Sequence, residues 1–334
     1  MNTNSMINSQ LQLNTKMFDA DVEQVPLRNG FGEGLVEAAK ADDRIMGLCA
    51  DLTESTRMEA FAKWFPNRFV QIGVAEQNLA AAASGMAAMG KIPFITSYAM
   101  FSPGRNWEQI RTTMCYNDRP VKVIGSHAGI SVGPDGGTHQ AVEDIAITRV
   151  IPRMVVISPC DSVEAKKATL ALAQNGKPTY LRLAREKTPV MTTDMTPFEI
   201  GKAYELWRGE APQVALMGCG PLLHNALKAA QELAKEGIGS VVLNIHTIKP
   251  IDAEKVSALA KECGAVVSVE EHQIAGGLGS AIAEVLMKTH PVPMEFIGVQ
   301  DKFGQSGKPL ELIEEYGMGV SHIVAAAKKV VGRK

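Results

Sequence analysis

Cysteine is scarce in this chain and never paired in sequence. The five residues, Cys49, Cys115, Cys160, Cys219 and Cys263, are widely spaced and odd in number, with no CxxC. That pattern excludes a disulfide framework or a zinc site and points to reduced, buried thiols. Long apolar runs are also missing. The longest uncharged stretches, Glu76 to Lys91 and Lys91 to Arg105, contain Gly or Pro and fall short of a membrane span. The N-terminus is rich in Asn and Gln and has no apolar segment of the secretory kind. The expectation is therefore a cytoplasmic location and no membrane partner. Charge of one sign does not accumulate: 34 Lys and Arg stand against 36 Asp and Glu, a formal net charge of -2. Nucleic acid is not an expected partner. No GxGxxG follows the first strand-like segment, which argues against a plain dinucleotide-binding protein.

What is present is enough apolar material for more than one core, 46% of 334 residues, which suggests about two domains. Short apolar segments alternate with helical patterns. Strands are expected at Arg44–Asp51, Phe69–Gly73, Ile92–Ser97, Val121–His127, Met154–Ser158 and Tyr180–Ala184. Helices are expected at Glu76–Met89, Asn106–Cys115 and Ser162–Gln174. The cycle restarts with strands at Val214–Cys219, Ser240–His246, Ala265–Glu270 and Met294–Val299. Between and after them, helices are expected at Leu222–Lys235, Ala253–Cys263, Leu278–Lys288 and Ser321–Val331. Such alternation indicates an α/β fold, here two doubly wound domains with largely parallel sheets. Residues 1–25 are expected to be a flexible leader, 26–188 the first domain and 200–334 the second. The Pro- and Thr-containing stretch Glu186–Glu199 would connect them.

Two segments carry chemistry. In Gly73-Val74-Ala75-Glu76-Gln77-Asn78 a strand ends and a helix begins, and a carboxylate in a first helical turn is favoured by the helix dipole. The small residues that follow, Ala80–Ala83, Ser84 and Gly85, would let another backbone approach. The second segment runs from His127 to Gln140 (HAGISVGPDGGTHQ). It follows a strand, is dense in glycine, and places His127, Asp135 and His139 on one loop. Loops at strand C-terminal ends are where α/β sheets build sites, and the spacing matches no zinc motif.

In order and interval, GVAEQN, then SYAMF at Ser97–Phe101, then HAGISVGPDGGTHQ resemble the middle domain of transketolase. DLTES at Asp51–Ser55, LRLAR at Leu181–Arg185 and VSVEEHQIAGGLGSAI in the second domain extend the resemblance from about residue 26 to the end. It implies a pyrimidine-binding thiamine diphosphate fold followed by a transketolase C-terminal-like domain. By the same resemblance Glu76 meets N1′ of the cofactor's aminopyrimidine, and Tyr98 and Phe101 pack the ring. The family's third aromatic position falls near Gly104, so Arg105 partly takes its place. His139 contacts donor hydroxyls and stabilises charge near the reacting carbon. Asp135 recognises a sugar hydroxyl, and Arg28, Ser55, His127 and Arg185 grip the sugar phosphate, a role suited to guanidinium forks.

The family holds the cofactor diphosphate and its metal through a GDG-to-Asn motif, and no GDG occurs in this sequence. The expectation is therefore no metal ligand in this chain. A partner N-terminal subunit carrying that motif would bind Mg2+ (or Ca2+ or Mn2+), in an α2β2 assembly acting on sugar phosphates. Related enzymes, 1-deoxyxylulose-5-phosphate synthase and the β subunit of 2-oxoacid dehydrogenases, share parts of the pattern. The first typically has Asp at the place of His127; the second fits GGTHQ and the phosphate-gripping set less well. A catalytically silent scaffold would be expected to lack some of Glu76, His127, Asp135 and His139, all of which are present.

Overall fold

The computed structural model describes residues 6–334. Its strands in chain order are β1 (Gln24–Pro26), β2 (Ile45–Cys49), β3 (Phe69–Gln71), β4 (Ile92–Tyr98), β5 (Lys122–Ser126), β6 (Val155–Ile157) and β7 (Thr179–Arg182). They continue with β8 (Lys187–Pro189), β9 (Tyr204–Arg208), β10 (Val214–Gly218), β11 (Ser240–Asn244), β12 (Thr247–Lys249), β13 (Val266–Gln273) and β14 (Met294–Val299).

A seven-stranded sheet has the order β12-β6-β7-β5-β4-β2-β3. It is parallel except for β12, which runs antiparallel to β6. A five-stranded sheet has the order β14-β13-β10-β11-β9, with β9 antiparallel. Both sheets are covered on both faces, which is why β4, β5, β10 and β11 read as nearly continuous buried runs. Helix starts follow side-chain chemistry. Asp161 caps Ser162–Gln174 by accepting from Glu164 N at 2.8 Å, and Asp252 caps Ala253–Cys263 through Lys255 N at 3.1 Å. All five cysteines are buried thiols, and no helix among the described residues is long and apolar enough to cross a membrane.

Three expectations are corrected or extended. The first concerns the leader. Residues 1–5 lie outside the described residues, but residues 6–25 are an ordered arm. Leu11, Leu13 and Met17 are buried in the second domain's core, Asn8 N donates to Leu206 O at 3.0 Å, and β1 pairs with β8. The apolar residues responsible follow no helical or strand period, so local pattern did not reveal them. The second adds a crossing to the expected division and leaves its bounds in place. β12, from the 200–334 segment, completes the edge of the first domain's sheet. The third concerns Asn106–Cys115, where only Trp107–Gln109 is α-helical and Ile110–Cys115 is a π-helix. The carbonyl of Thr113 in that π segment accepts from Ser84 Oγ at 2.6 Å. Ser84 therefore faces its own domain, not an incoming backbone.

Candidate active site

The carboxyl ends of β2, β4, β5 and β7 open on one edge of the large sheet, and the loops there carry the residues singled out from sequence. Glu76 starts the helix Glu76–Ala88 and is 1% exposed. A buried carboxylate needs partners. Ser97 Oγ, from β4, donates to Oε1 at 3.2 Å, and Arg105 Nη1 meets Oε2 at 2.6 Å. Asn106 Nδ2 donates to the Glu76 carbonyl at 3.0 Å and fixes the backbone there.

Aromatic rings continue from this carboxylate. The Arg105 guanidinium lies over the Phe101 ring at 4.8 Å. Phe101 meets His139 edge-on at 5.4 Å, and Tyr98 stacks on His127 at 3.9 Å. Tyr98 and Phe101 are 6.3 Å apart and nearly parallel, at 17°.

His127 leads to the cationic side. Its backbone is left-handed, φ 57°, an uncommon state for a non-glycine residue. Burial, reinforced by the charges of Arg28, Arg185 and Arg57, pushes its pKa down to about 3. The ring is therefore neutral near pH 7. Arg28 Nη1, which can only donate, lies 3.2 Å from His127 Nε2, so Nε2 is the acceptor and Nδ1 carries the proton toward Ser126 Oγ at 2.9 Å. Arg28 Nη1 also donates to the Ser55 carbonyl at 2.8 Å, and Arg28 Nε is buried without a hydrogen-bond partner. Burial chiefly, and then the charges of Arg57 and Arg185, lowers the Arg28 pKa.

Arg185 stands 3.8 Å from Asp135 and donates to Val132 O at 2.6 Å, so it braces the glycine-rich loop as well as adding charge. The second domain holds the same loop. Glu271 Oε1 accepts from Ser131 N at 2.5 Å, and a Cβ on Gly129, whose φ is 90°, would overlap that carboxylate. Arg182 forms a buried ion pair with Asp144 at 2.8 Å and donates to Glu271 O and Ala141 O. Burial alone would raise the Asp144 carboxyl, but the Arg182 charge outweighs it and holds the pKa below the usual range.

The expected residues thus form two connected chains of contact. One runs from Glu76 through Arg105 and Phe101 to His139, and through Tyr98 to His127, Arg28 and Ser55. The other pairs Arg185 with Asp135 and reaches the first through charge. Ser55 enters by its carbonyl. Arg57, two residues beyond the DLTES motif, carries no sequence signal of its own; its Nε donates to Asn29 Oδ1 at 2.9 Å and its charge acts on Arg28 and His127. Asp144, Arg182 and Glu271 are likewise unmarked by charge pattern or spacing, although Arg182 sits inside LRLAR and Glu271 inside VSVEEHQ.

The arrangement fits one half of a thiamine diphosphate site. A buried carboxylate flanked by Tyr98, Phe101 and His139 could take the edge and faces of a planar heterocycle. Comparison with known proteins gives the family. Residues 23–191 match the family model for the transketolase pyrimidine-binding domain, and residues 202–323 match that for the transketolase C-terminal domain. The chain is 40% identical over 317 residues to 6-deoxy-6-sulfo-D-fructose transketolase subunit SqwH of Clostridium sp. (strain MSTE9), covering 95% of this chain and 98% of that one. It is 33% identical over 308 residues to a subunit of the apulose-4-phosphate transketolase of Phocaeicola vulgatus, covering 92% and 98%. Against the transketolase of Rattus norvegicus, identity is 33% and the match spans 49% of that protein. A solved structure described as a split gene transketolase, inactive beta4 tetramer, superposes with a TM-score of 0.86 at 40% identity, covering 92% of this chain and 99% of that one. With the pyrimidine-binding and C-terminal domains both matched and the fold superposed over nearly its whole length, the chain belongs to the transketolase family and corresponds to the C-terminal half of its longer members.

Proposed function

We propose that this chain is the pyrimidine-binding subunit of a two-chain transketolase, which moves a two-carbon ketol unit from a ketose phosphate to an aldose or aldose phosphate. The observation that carries this reading is the buried Glu76 carboxylate, set beside aromatic rings at one end of a site whose other end is an arginine cluster. Thiamine diphosphate, when bound, supplies carbanion chemistry at C2 for cleaving and forming bonds next to a carbonyl. Glu76 would hold or share a proton at N1′ of the pyrimidine. Tyr98 and Phe101 would wall the ring and keep water out, with the half-exposed Arg105 at the mouth of the pocket. His139 would contact donor hydroxyls, Asp135 a sugar hydroxyl, and Arg28, His127, Arg185 and the Ser55 segment the terminal anion.

The diphosphate and Mg2+ (or Ca2+ or Mn2+) would be held by a partner subunit carrying the GDG-to-Asn motif, in a cytoplasmic α2β2 assembly. Support comes from the relatives named as subunits and from the structural neighbour described as an inactive assembly of β chains. A second reading of the anion also has support, because the relative at 40% identity is named for a sulfo-sugar. Sulfonate and phosphate are both tetrahedral oxyanions that guanidinium forks suit.

The test is reconstitution. Mixed with its partner, thiamine diphosphate and Mg2+, the chain should transfer the ketol unit, and alone it should bind the cofactor weakly. Glu76→Gln should slow exchange of the cofactor's C2 proton about 10²–10⁴-fold while the fold survives. Tight cofactor binding by the isolated chain would overturn the two-chain reading, and unchanged exchange would remove Glu76 from the chemistry.

A further inference from the structure

The segment between β4 and the π-helix departs from an aromatic wall in a way that has its own chemistry. A Cβ on Gly104 would overlap the Met100 carbonyl oxygen, so no larger side chain fits there without moving the turn. Arg105 N donates to Phe101 O at 2.8 Å, and this turn aims the next side chain back at Glu76. The result is asymmetric. Glu76 is 1% exposed, while the Arg105 side chain is 48% exposed, and the two meet at 2.6 Å. The same guanidinium covers the face of Phe101. Arg105 therefore fills the wedge between the carboxylate and the aromatic wall.

We infer that Arg105 is a resident counter-ion of Glu76 that competes with the cofactor's pyrimidine for the carboxylate and must swing into solvent before the ring can seat. This rests on the proposed cofactor site. The exchange is physically balanced. A buried carboxylate left bare is costly, whereas a half-exposed arginine regains water at little cost. The ring edge replaces the guanidinium on Glu76, and Phe101 exchanges a cation for a planar partner. Arg105 keeps the empty pocket formed and, by the same contact, weakens and slows cofactor binding.

The experiment uses the complex with its partner subunit and Mg2+, titrated with thiamine diphosphate by calorimetry, with association followed by stopped-flow fluorescence of the tryptophans. Arg105→Met and Arg105→Gln should tighten binding about five- to fiftyfold, on the scale of one charged hydrogen bond, and speed association. Arg105→Lys should fall between. Equal or weaker binding by both variants overturns the inference, since a purely structural arginine would only lose affinity. If neither wild type nor variants bind the cofactor, the cofactor reading fails and this inference with it. Binding by wild type without a gain in the variants sinks this inference alone. A cofactor-free check uses the isolated chain. Arg105→Met should lower Tm by about 2–4 °C in the Glu76 background and much less in a Glu76→Gln background. Equal shifts in both would mean the ion pair is not resident.

Discussion

Arg28 Nη1 lies 3.2 Å from His127 Nε2, and this contact makes a neutral histidine part of a cation cluster. The sign of the resulting pH dependence is determined. The folded pKa of His127 is depressed to about 3 from an ordinary 6.5. Its stabilising contribution is therefore complete above about pH 6.5 and is lost as pH falls toward 3. His246 and His272, buried at about 3 and about 4, act in the same direction. Glu164 and Glu270, raised to about 7 by burial, act in the opposite one, favouring the fold below about 4.5 and losing that as pH rises through 7. Between pH 7.5 and pH 5, His127→Gln should lose about 1–2 kcal/mol less stability than wild type. Urea unfolding at the two values measures it, and parallel losses would contradict the neutral-histidine assignment.

The arginines should separate by what else they hold. Arg28 contacts His127 and a carbonyl, whereas Arg185 also braces Val132 in the glycine-rich loop. Arg28→Ala is expected to raise KM for phosphorylated or sulfonated sugars about ten- to a hundredfold, with little change for uncharged analogues. Arg185→Ala should do the same and also lower kcat on every substrate. Running phosphate and sulfonate donors side by side tells which anion the cluster serves.

The helix after Glu76 offers a matched pair for testing assembly. Ser84 is buried and donates to Thr113 O, whereas Gly85 is exposed with open space where a Cβ would stand. Ser84→Trp should damage the fold. Gly85→Trp should leave a soluble chain with wild-type circular dichroism but impaired association with the partner, seen by light scattering. Normal assembly of Gly85→Trp would place the subunit interface elsewhere.

Arg182, paired with Asp144 inside the first domain, reaches the second by donating to the Glu271 carbonyl under the glycine-rich loop. Arg182→Met leaves Asp144 with Tyr180 as its remaining side-chain donor and removes the donor to Glu271 O and Ala141 O. Breaking a buried pair from one side costs about 3–5 kcal/mol, so chemical denaturation should show a markedly earlier midpoint. A shift under about 1 kcal/mol (roughly a fivefold change in the folding equilibrium) would mean that Arg182 is not what holds the domains at this loop.

The sequence by itself determined the repeating elements and the chemistry-bearing loops. Ser162–Gln174, Ala253–Cys263, Leu278–Lys288 and Met294–Val299 lie where apolar period and turn residues put them, because those signals are local. Glu76 at a helix start and the loop from His127 to Gln140 were likewise legible as a strand-to-helix turn and a glycine-dense run. Only tertiary structure decided what these residues touch. The packed arm of residues 6–25, β12 on the first sheet's edge, Arg57 beside Arg28, Glu271 on Ser131 and Arg105 on Glu76 all join residues whose meeting depends on how the chain packs. No period or spacing encodes such contacts. They follow from which buried polar groups and apolar surfaces must find partners once the sheets have formed.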